Sequence, residues 1–188
     1  YLAMHIRGIA LLQIGNITGA LADLIPINLI NPLHGLLAWN LAIAFFYNKQ
    51  FSKAWQIFRK SNSIIPNTYP KVPNWNGENL INKNVILTQY NSNGGGDDIM
   101  YAHIIPEILE KTKTCFIETD QRTKSLYENS FDKGEIFLTG ESPWEEKTKI
   151  DYQVMVPTIA ETLRCNVADF DQPGGYLKPS TGEIRVWE

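Results

Sequence analysis

The stretch that decides the fold covers residues 84–112 and has the sequence NVILTQYNSNGGGDDIMYAHIIPEILEKT. It begins with a short apolar run of β-prone residues, Val85 to Leu87, and continues through a loop of asparagine, serine and glycine. Apolar residues then recur at helical spacing: Ile99, Ala102, Ile105, Ile108 and Leu109. The order of strand, glycine turn and helix predicts the opening unit of an open α/β sheet, which binds ligands beyond the carboxyl ends of its strands.

The glycine turn is the first candidate site. Gly94, Gly95 and Gly96 let the backbone approach a ligand closely, and free N–H groups at a helix start attract anions. Asp97 and Asp98 follow where the helix is expected to begin. One of them is a natural N-cap, and either carboxylate is able to act as a base. The N–H groups therefore either hold an anionic substrate group or only form a tight turn.

Composition and charge exclude several classes of protein. The 188 residues carry a net charge of −3 and scattered Lys and Arg, so no nucleic-acid partner is expected. The two cysteines, Cys115 and Cys165, are too few for a disulfide scaffold, and no Cys or His spacing supports a metal site. The longest apolar run, Leu36 to Tyr47, is shorter than the roughly 20 residues that cross a bilayer, so no transmembrane segment is predicted. We expect a cytoplasmic protein and, because the chain begins with Tyr1, a trimmed fragment.

The first 69 residues contain a repeat with a period of 34 residues, the period of a tetratricopeptide repeat. The matching pairs are Gly8 and Ala42, Leu11 and Phe45, Ile17 and Phe51, Ala20 and Ala54, Leu24 and Phe58, and Pro32 and Pro66. Small residues let two helices approach closely, larger ones fill the groove between them, and the prolines end the second helix of each unit. We therefore predict two helical hairpins over residues 1–69. Their aromatic residues either line a concave partner-binding surface or only form the core.

Prolines at 66, 70 and 73 predict a domain boundary, followed by a polar connector over residues 70–83. Beyond it, predicted strands over 85–87, 114–118, 135–138 and 150–156 alternate with predicted helices, two of them over 121–130 and 157–164. This alternation predicts a parallel sheet with helices on its faces, an α/β domain over residues 84–170. Residues 171–188 are expected to form an extended tail or linker.

A dinucleotide site is a minor alternative. Its fingerprint needs a third glycine where the helix packs on the strand, and Ile99 stands there. Carboxylates at Asp97 and Asp98 would also repel a pyrophosphate. An acid does follow about 20 residues later, at Glu118 or Asp120, as a ribose contact requires.

Five short motifs carry a family resemblance. They are Asn74-Trp75-Asn76-Gly77-Glu78, the run from Gly94 to Ala102, the run from Ile117 to Arg122 leading into Ser130-Phe131, Asp151-Tyr152-Gln153-Val154, and Gly174-Gly175-Tyr176-Leu177. In this order, and together with the repeat, the chain resembles the bacterial tetratricopeptide-repeat glycosyltransferase-like proteins, which are related to heptosyltransferases and to O-linked N-acetylglucosamine transferase. The resemblance covers nearly the whole chain.

The resemblance implies a GT-B fold, in which two Rossmann-like domains face each other across a cleft. The N-terminal domain meets the acceptor and the C-terminal domain holds the nucleotide sugar. This chain then contains the repeats and the acceptor-side domain, with residues 171–188 as the linker to a missing second domain. The implied function is sugar transfer from a nucleotide-sugar donor to a hydroxyl acceptor, a glycan or a protein, with no metal or other cofactor and with a protein partner at the repeats. The fragment alone is expected to be inactive.

Sugar transfer needs a base for the acceptor proton and N–H dipoles or positive charge for the leaving diphosphate. The resemblance implies that Asp97 is this base, because it matches the aspartate of the Gly-Asp motif that heptosyltransferases place at the sugar cleft; an N-cap is its structural alternative. The predicted substrate-binding residues are Gly94, Gly95, Gly96, Asp98, His103, Glu118 and Arg122.

Three of these residues have individual alternatives. Glu118 stands at the end of a strand and is a candidate for hydrogen bonding to the acceptor. Arg122 either contacts a phosphate or pairs with Asp120 or Glu118 as a solvated ion pair that adds little stability. His103 either binds substrate or only lies on the helix surface.

The alternative function belongs to a different class, a non-catalytic interaction protein. In it the repeats recruit a partner, and the α/β domain is a spacer or a degenerate enzyme. A second Rossmann domain with a glycine-rich, acid-containing nucleotide loop in the full-length sequence would favour the enzyme.

Overall fold

The computed structural model describes residues 1–30, 35–61, 69–88, 95–144, 148–170, 174–180 and 182. The chain folds into two compact units. The first consists of Tyr1–Ile65 and Glu161–Gln172, and the second of Pro66–Ala160 and Pro173–Glu188. None of the described helices is both long enough and apolar enough to cross a bilayer.

The first unit is built on four helices: α1 (Leu2–Gln13), α2 (Ile17–Ile30), α3 (Gly35–Tyr47) and α4 (Phe51–Ser61). Helix α1 packs against α2, α3 packs against α4, and α2 also contacts α3. The first pair is joined by a tight turn in which Gly15 adopts a left-handed conformation, with φ of 77°. Asn16 then caps α2, because its Oδ1 accepts the N–H of Gly19 at 3.0 Å.

Helices α1 and α2 approach closely at Gly8. A Cβ atom at this position would lie 2.8 Å from Cδ2 of Leu24, so any larger residue would have to displace that side chain. The predicted close approach is therefore confirmed at Gly8. The other predicted small positions, Ala20, Ala42 and Ala54, are fully buried. The two prolines of the repeat, at positions 32 and 66, lie outside the described residues.

The second unit contains the strands β1 (Asn84–Thr88), β2 (Thr114–Thr119), β3 (Glu135–Leu138) and β4 (Tyr152–Met155). Helix α5 (Gly95–Tyr101) follows β1, and a 3-10 turn over Ala102–Ile104 leads into α6 (Ile105–Leu109). Helix α7 (Lys124–Ser130) connects β2 to β3, and α8 (Val156–Leu163) begins directly after β4.

The four strands form one parallel sheet in the order β3-β2-β1-β4. This confirms the predicted α/β arrangement with a parallel sheet. Leu87 of β1 pairs with Ile117 of β2 on one side and with Val154 of β4 on the other. As expected for a central parallel strand, Val85 to Leu87 is fully buried. The strand order reverses between β1 and β4, and open α/β sheets bind ligands at such a switch point.

An extended segment covers the outer side of β4. Asn74 forms a parallel bridge with Gln153, and the N–H of Trp75 donates to the Gln153 carbonyl at 3.0 Å. The Gln153 side chain donates to the carbonyls of Tyr69 and Val72 at 2.9 and 2.6 Å and accepts the N–H of Tyr69 at 3.2 Å. Part of the predicted connector over 70–83 therefore belongs to the sheet.

The first unit also includes a segment from much later in the chain. Trp55 of α4 donates its indole N–H to the carbonyl of Arg164 at 2.8 Å. The ring of Phe51 lies 4.6 Å from the ring of Phe170, which ends a 3-10 turn over Val167–Phe170. The helical unit is thus assembled from two separate segments, and this division differs from the predicted domain ranges 1–69 and 84–170.

Candidate functional site

Acidic side chains gather near the carboxyl ends of β1 and β2. Asp97 and Asp98 lie in the first turn of α5, and Glu118 lies near the end of β2. Asp120 and Arg122 follow β2 in the chain. The other four groups all act on the charge of Asp98, so the five side chains form one electrostatic cluster.

Asp98 is the buried aspartate of this cluster. Its side chain is buried, with 7% of the residue exposed. No described residue donates a hydrogen bond to its carboxylate, although its backbone carbonyl accepts one from Tyr127. Burial raises the pKa of Asp98 to about 6, and the negative charges of Asp120 and Asp97 act in the same direction, while Arg122 opposes them. A carboxyl group with a pKa near neutrality is a common property of functional sites.

A cavity of about 20 Å³ lies beside Asp98, which is room for about one water molecule. Asp98 and Glu118 are among the residues that line it, together with Tyr101 and Tyr127. The rest of its wall is apolar and comes from α6, from β2 and from the start of α8. Asp97 is not one of the lining residues.

Glu118 is held in place by Tyr69. Only 4% of Glu118 is exposed, and Oη of Tyr69 donates to its Oε1 at 3.1 Å. Burial and the negative charge of Glu118 together raise the pKa of Tyr69, so the phenol stays protonated and remains a donor. Because Gln153 holds the backbone of Tyr69 from both sides, β4 fixes this contact indirectly.

Tyr127 of α7 closes another side of the cavity. Its Oη donates to the carbonyl of Asp98 at 2.8 Å, and its ring packs edge-on against Phe131 at 5.3 Å. Burial is the main cause that raises the pKa of Tyr127, with the charge of Asp98 second. The phenol therefore remains protonated while it anchors α5 to α7.

Arg122 forms an ion pair with Asp120, which is one of the two alternatives predicted for this residue. The Arg122 Nε donates to Asp120 Oδ2 at 2.9 Å, and Nη2 of Arg122 contacts the same oxygen. The other oxygen of Asp120 accepts the backbone N–H groups of Arg122 at 2.7 Å and of Thr123 at 3.2 Å. These bonds, with Arg122 first, lower the pKa of Asp120, so this carboxylate is charged and fully occupied.

The glycines and His103 lie at the edge of the cluster. Gly94 is outside the described residues, whereas Gly95 and Gly96 form the start of α5. A Cβ at Gly95 would lie 3.5 Å from Cγ2 of Thr123, an ordinary contact, and Gly96 faces open space. The Nδ1 of His103 lies 2.5 Å from the carbonyl of Met100 and must donate to it, so this ring is directed at its own helix. His103 does not line the cavity.

The N-cap interpretation of Asp97 is not supported. Helix α5 begins at Gly95, so Asp97 lies in its first turn rather than at the cap. Asp97 is partly exposed, in contrast to Asp98. Its charge still interacts favourably with the helix dipole.

The arrangement favours hydrogen-bond donors and cations over anions. Among the described residues, no group of three or more His, Cys, Asp or Glu side chains is placed to hold a metal ion. Three residues that had no predicted role in the site support it: Tyr69 binds the Glu118 carboxylate, Gln153 holds the backbone of Tyr69, and Tyr127 binds the backbone carbonyl of Asp98. The only available signal was Gln153, a polar residue inside an apolar strand run; the two tyrosines have no distinctive local pattern.

Comparison with known proteins gives one distant similarity. The chain is similar to Protein FlbA of Caulobacter vibrioides, with 22% identity over 212 aligned positions. The alignment covers 99% of this chain and 34% of FlbA, so the chain spans about a third of the length of this curated relative. No protein-family model matches the chain, and no solved structure matches it significantly.

Proposed function

We propose that this chain is the acceptor-side part of a glycosyltransferase, which moves a sugar from a nucleotide-sugar donor to a hydroxyl group. The observation that carries the proposal is the carboxylate cluster near the carboxyl ends of β1 and β2 in the parallel sheet. Ligands of open α/β sheets bind beyond the carboxyl ends of the strands, and transfer to a hydroxyl requires a base there. The five sequence motifs support the same family, the tetratricopeptide-repeat glycosyltransferase-like proteins with a GT-B fold.

The charge of the cluster supports the acceptor role over the donor role. Four carboxylates face a single guanidinium, and that guanidinium is already paired with Asp120. A diphosphate would be repelled here, so the nucleotide sugar binds elsewhere, on the domain that the family places opposite. The same repulsion disfavours a dinucleotide site. No metal or other cofactor is part of the proposal.

Asp97 is the proposed base because an acceptor can reach it more easily than it can reach Asp98. The cavity beside Asp98 has room for about one water molecule, so a sugar hydroxyl on its ring cannot reach that carboxylate. Asp97 is its immediate neighbour in α5 and is partly exposed. A bulky acceptor is therefore able to approach Asp97 but not Asp98.

The helical unit is proposed to recruit the partner or the acceptor. Its 34-residue period and the close helix contact at Gly8 support tetratricopeptide-type hairpins. Apolar side chains on its surface, such as Leu2, Leu36 and Tyr47, are exposed and would be available to a protein partner. They also support the second candidate function, a non-catalytic interaction protein. A cytoplasmic location, where nucleotide sugars are supplied, is part of the first proposal.

The test uses the complete protein that contains this chain. Hydrolysis of a panel of nucleotide sugars identifies the donor, and transfer to hydroxyl acceptors then gives kcat/KM. Asp97→Asn is expected to lower kcat/KM by about 100-fold or more, the contribution of a general base, because the amide cannot take the acceptor proton. The matched control is Glu128→Gln, which makes the same chemical change on the exposed face of α7 and leaves activity unchanged.

Two results would contradict the proposal. Full activity in Asp97→Asn would remove that residue as the base. Hydrolysis of no nucleotide sugar by the complete protein would favour the interaction protein instead.

A further inference from the structure

Helix α5 is turned in a direction that the hydrophobic effect does not favour. Asp98 and Tyr101 are buried, whereas Ile99 and Met100 are 39% and 51% exposed. Burying a carboxyl group costs free energy, and burying an isoleucine or a methionine gains it. Apolar burial alone would therefore favour a rotation of α5 that brings Ile99 and Met100 inward and Asp98 outward. Another interaction must hold the helix in the rotation that it has.

The length of α5 makes this rotation sensitive to its surroundings. The helix has only seven residues, Gly95–Tyr101, which is about two turns. Adjacent residues of an α-helix point about 100° apart, so a rotation of that size is enough to exchange the environments of Asp97 and Asp98. Which of these two neighbours meets solvent therefore depends on what binds α5 from outside.

Two tyrosines bind α5 through successive backbone carbonyls. Tyr127 of α7 donates its hydroxyl hydrogen to the carbonyl of Asp98 at 2.8 Å, in a buried bond. Tyr176, which lies in the segment after α8, donates to the carbonyl of Ile99 at 2.9 Å, in an exposed bond. Because a hydrogen bond to a carbonyl constrains the direction of that peptide group, both bonds oppose rotation of the helix. Water competes less for the buried bond, so Tyr127 is the stronger constraint.

We propose that Tyr127 is a positioning residue, whose hydroxyl group holds α5 in the rotation that leaves Asp97 accessible and Asp98 buried. Tyr176 supports the same rotation from the other side of the helix backbone contact. The contribution of Tyr127 to sugar transfer rests on the proposed function, because it acts through Asp97, the proposed base. Its effect on the rotation of α5 does not, and it is measured without any substrate.

The first measurement is the pKa of Asp98 in the intact chain, followed by NMR of the ¹³C-labelled carboxyl group. Burial is the main cause that raises this pKa to about 6, so the pKa reports whether Asp98 stays inside. In Tyr127→Phe, which keeps the ring and removes the donor, we expect the pKa of Asp98 to fall toward the ordinary aspartate value of about 4. An unchanged pKa of Asp98 in this variant would overturn the proposal.

The matched control is Tyr152→Phe, which removes the same atom from a tyrosine at the start of β4. This position lies at the amino end of the sheet, whereas the cluster lies near the carboxyl ends of β1 and β2. The pKa of Asp98 should therefore stay at about 6 in the control. An equal fall in both variants would show that the effect is not specific to Tyr127 and would contradict the positioning role.

Two further variants keep the test decisive. Tyr176→Phe removes the exposed bond and should lower the pKa of Asp98 in the same direction but by less. If Tyr127→Phe does not fold, an unchanged pKa of Asp98 in Tyr176→Phe overturns the proposal. Ile99→Gln combined with Tyr127→Phe reduces the apolar gain of the rotated helix, so the pKa should rise back toward about 6. A double variant with no such recovery would contradict the rotation.

The second measurement is the activity of the complete protein. Tyr127→Phe should lower kcat for sugar transfer by about 10- to 100-fold with little change in KM, because the base is displaced while the acceptor still binds. A lowered pKa of Asp98 with no hydrolysis of any nucleotide sugar would retain the positioning of α5 by Tyr127 and remove the transferase. A lowered pKa with unchanged kcat would remove the contribution of Tyr127 to transfer.

Discussion

The two units of the chain each bury an aspartate, and the two aspartates behave in opposite ways. Asp23 in α2 is 4% exposed and Asp98 in α5 is 7% exposed. Arg7 donates to Asp23 through Nε at 2.7 Å and Nη2 at 2.6 Å, and these bonds are the main cause that lowers the pKa of Asp23. No residue that the structure describes donates to the Asp98 carboxylate, and burial raises the pKa of Asp98 to about 6. Burial alone therefore does not set the direction of a carboxyl group's pKa shift; the presence or absence of an ionic partner decides it.

The two units also differ in how closely their side chains pack. The helical unit closes around Leu24, which is fully buried and leaves no room for a Cβ at Gly8. The sheet unit instead retains a cavity of about 20 Å³, whose lining residues include Asp98 and Glu118. The close helix contact at Gly8 thus belongs to the first unit and the internal cavity to the second.

The largest expected effect concerns the helical core. Leu24→Ala should lower the free energy of unfolding by about 2–5 kcal/mol, because it leaves a cavity in a close-packed helix contact. Leu29→Ala in the same helix is the matched control, since Leu29 is 77% exposed and its truncation should change stability by less than about 0.5 kcal/mol. Urea unfolding measures both. Equal effects would mean that the helical unit is not tightly packed, and the contrast with the sheet unit would fail.

A smaller effect is the pH dependence of the free energy of unfolding, which should differ between variants of the two aspartates. The folded-state pKa of Asp98 is raised, so its charge destabilises the fold above about pH 6 and has no effect below its unfolded pKa near 4. Asp98→Asn should therefore gain about 1–2 kcal/mol at pH 7.5, discounted for residual solvent screening, and nothing at pH 4. The pKa of Asp23 is lowered, so Asp23→Asn should lose stability at neutral pH, and the loss should shrink as the pH falls through the folded-state pKa.

Urea unfolding of both variants between pH 4 and pH 7.5 checks these opposite slopes. Slopes of the same sign would show that the two carboxylates are equivalent after all.

The smallest expected effect lies on the surface of α7. Lys124 and Glu128 form an ion pair one helical turn apart, and both side chains contact solvent. Glu128→Gln should lower the free energy of unfolding by only about 0.3–0.5 kcal/mol. Thermal unfolding at low and high salt measures this, and the difference should vanish at high salt. A loss above 1 kcal/mol would make this variant unsuitable as the matched control for the site.

The sheet could be predicted from the sequence because apolar runs alternate with helices at short spacing. Strand β3 has its predicted bounds, Glu135–Leu138. The helix after β1 is less regular than predicted, since Pro106 cannot donate to the carbonyl of Ala102 and the chain turns 3-10 over Ala102–Ile104. Helix α7 begins at Lys124 rather than at residue 121, because the Asp120 side chain takes the N–H groups of Arg122 and Thr123.

The sequence could predict which strand ends carry the candidate residues but not which of them are buried. The glycine turn and the acids were expected after β1 and β2, and the described ones lie there. Asp97 and Asp98 are adjacent, and which one is buried depends on the rotation of α5, which local sequence does not determine. The contact between Trp55 and Arg164 joins positions 109 residues apart, so no local pattern predicts the second segment of the helical unit.

The segment held by Gln153 has a consequence for self-association. A bare edge strand offers unpaired N–H and C=O groups to another copy of the chain, which is a common route to aggregation. Here the backbone around Asn74 and Trp75 occupies that side of β4. In the described sheet the opposite edge is β3, a four-residue strand that begins with the charged Glu135. A short edge strand with a charged residue is a poor template for strand addition. One edge of this sheet is therefore covered by the chain itself, and the other is protected because β3 is short and charged.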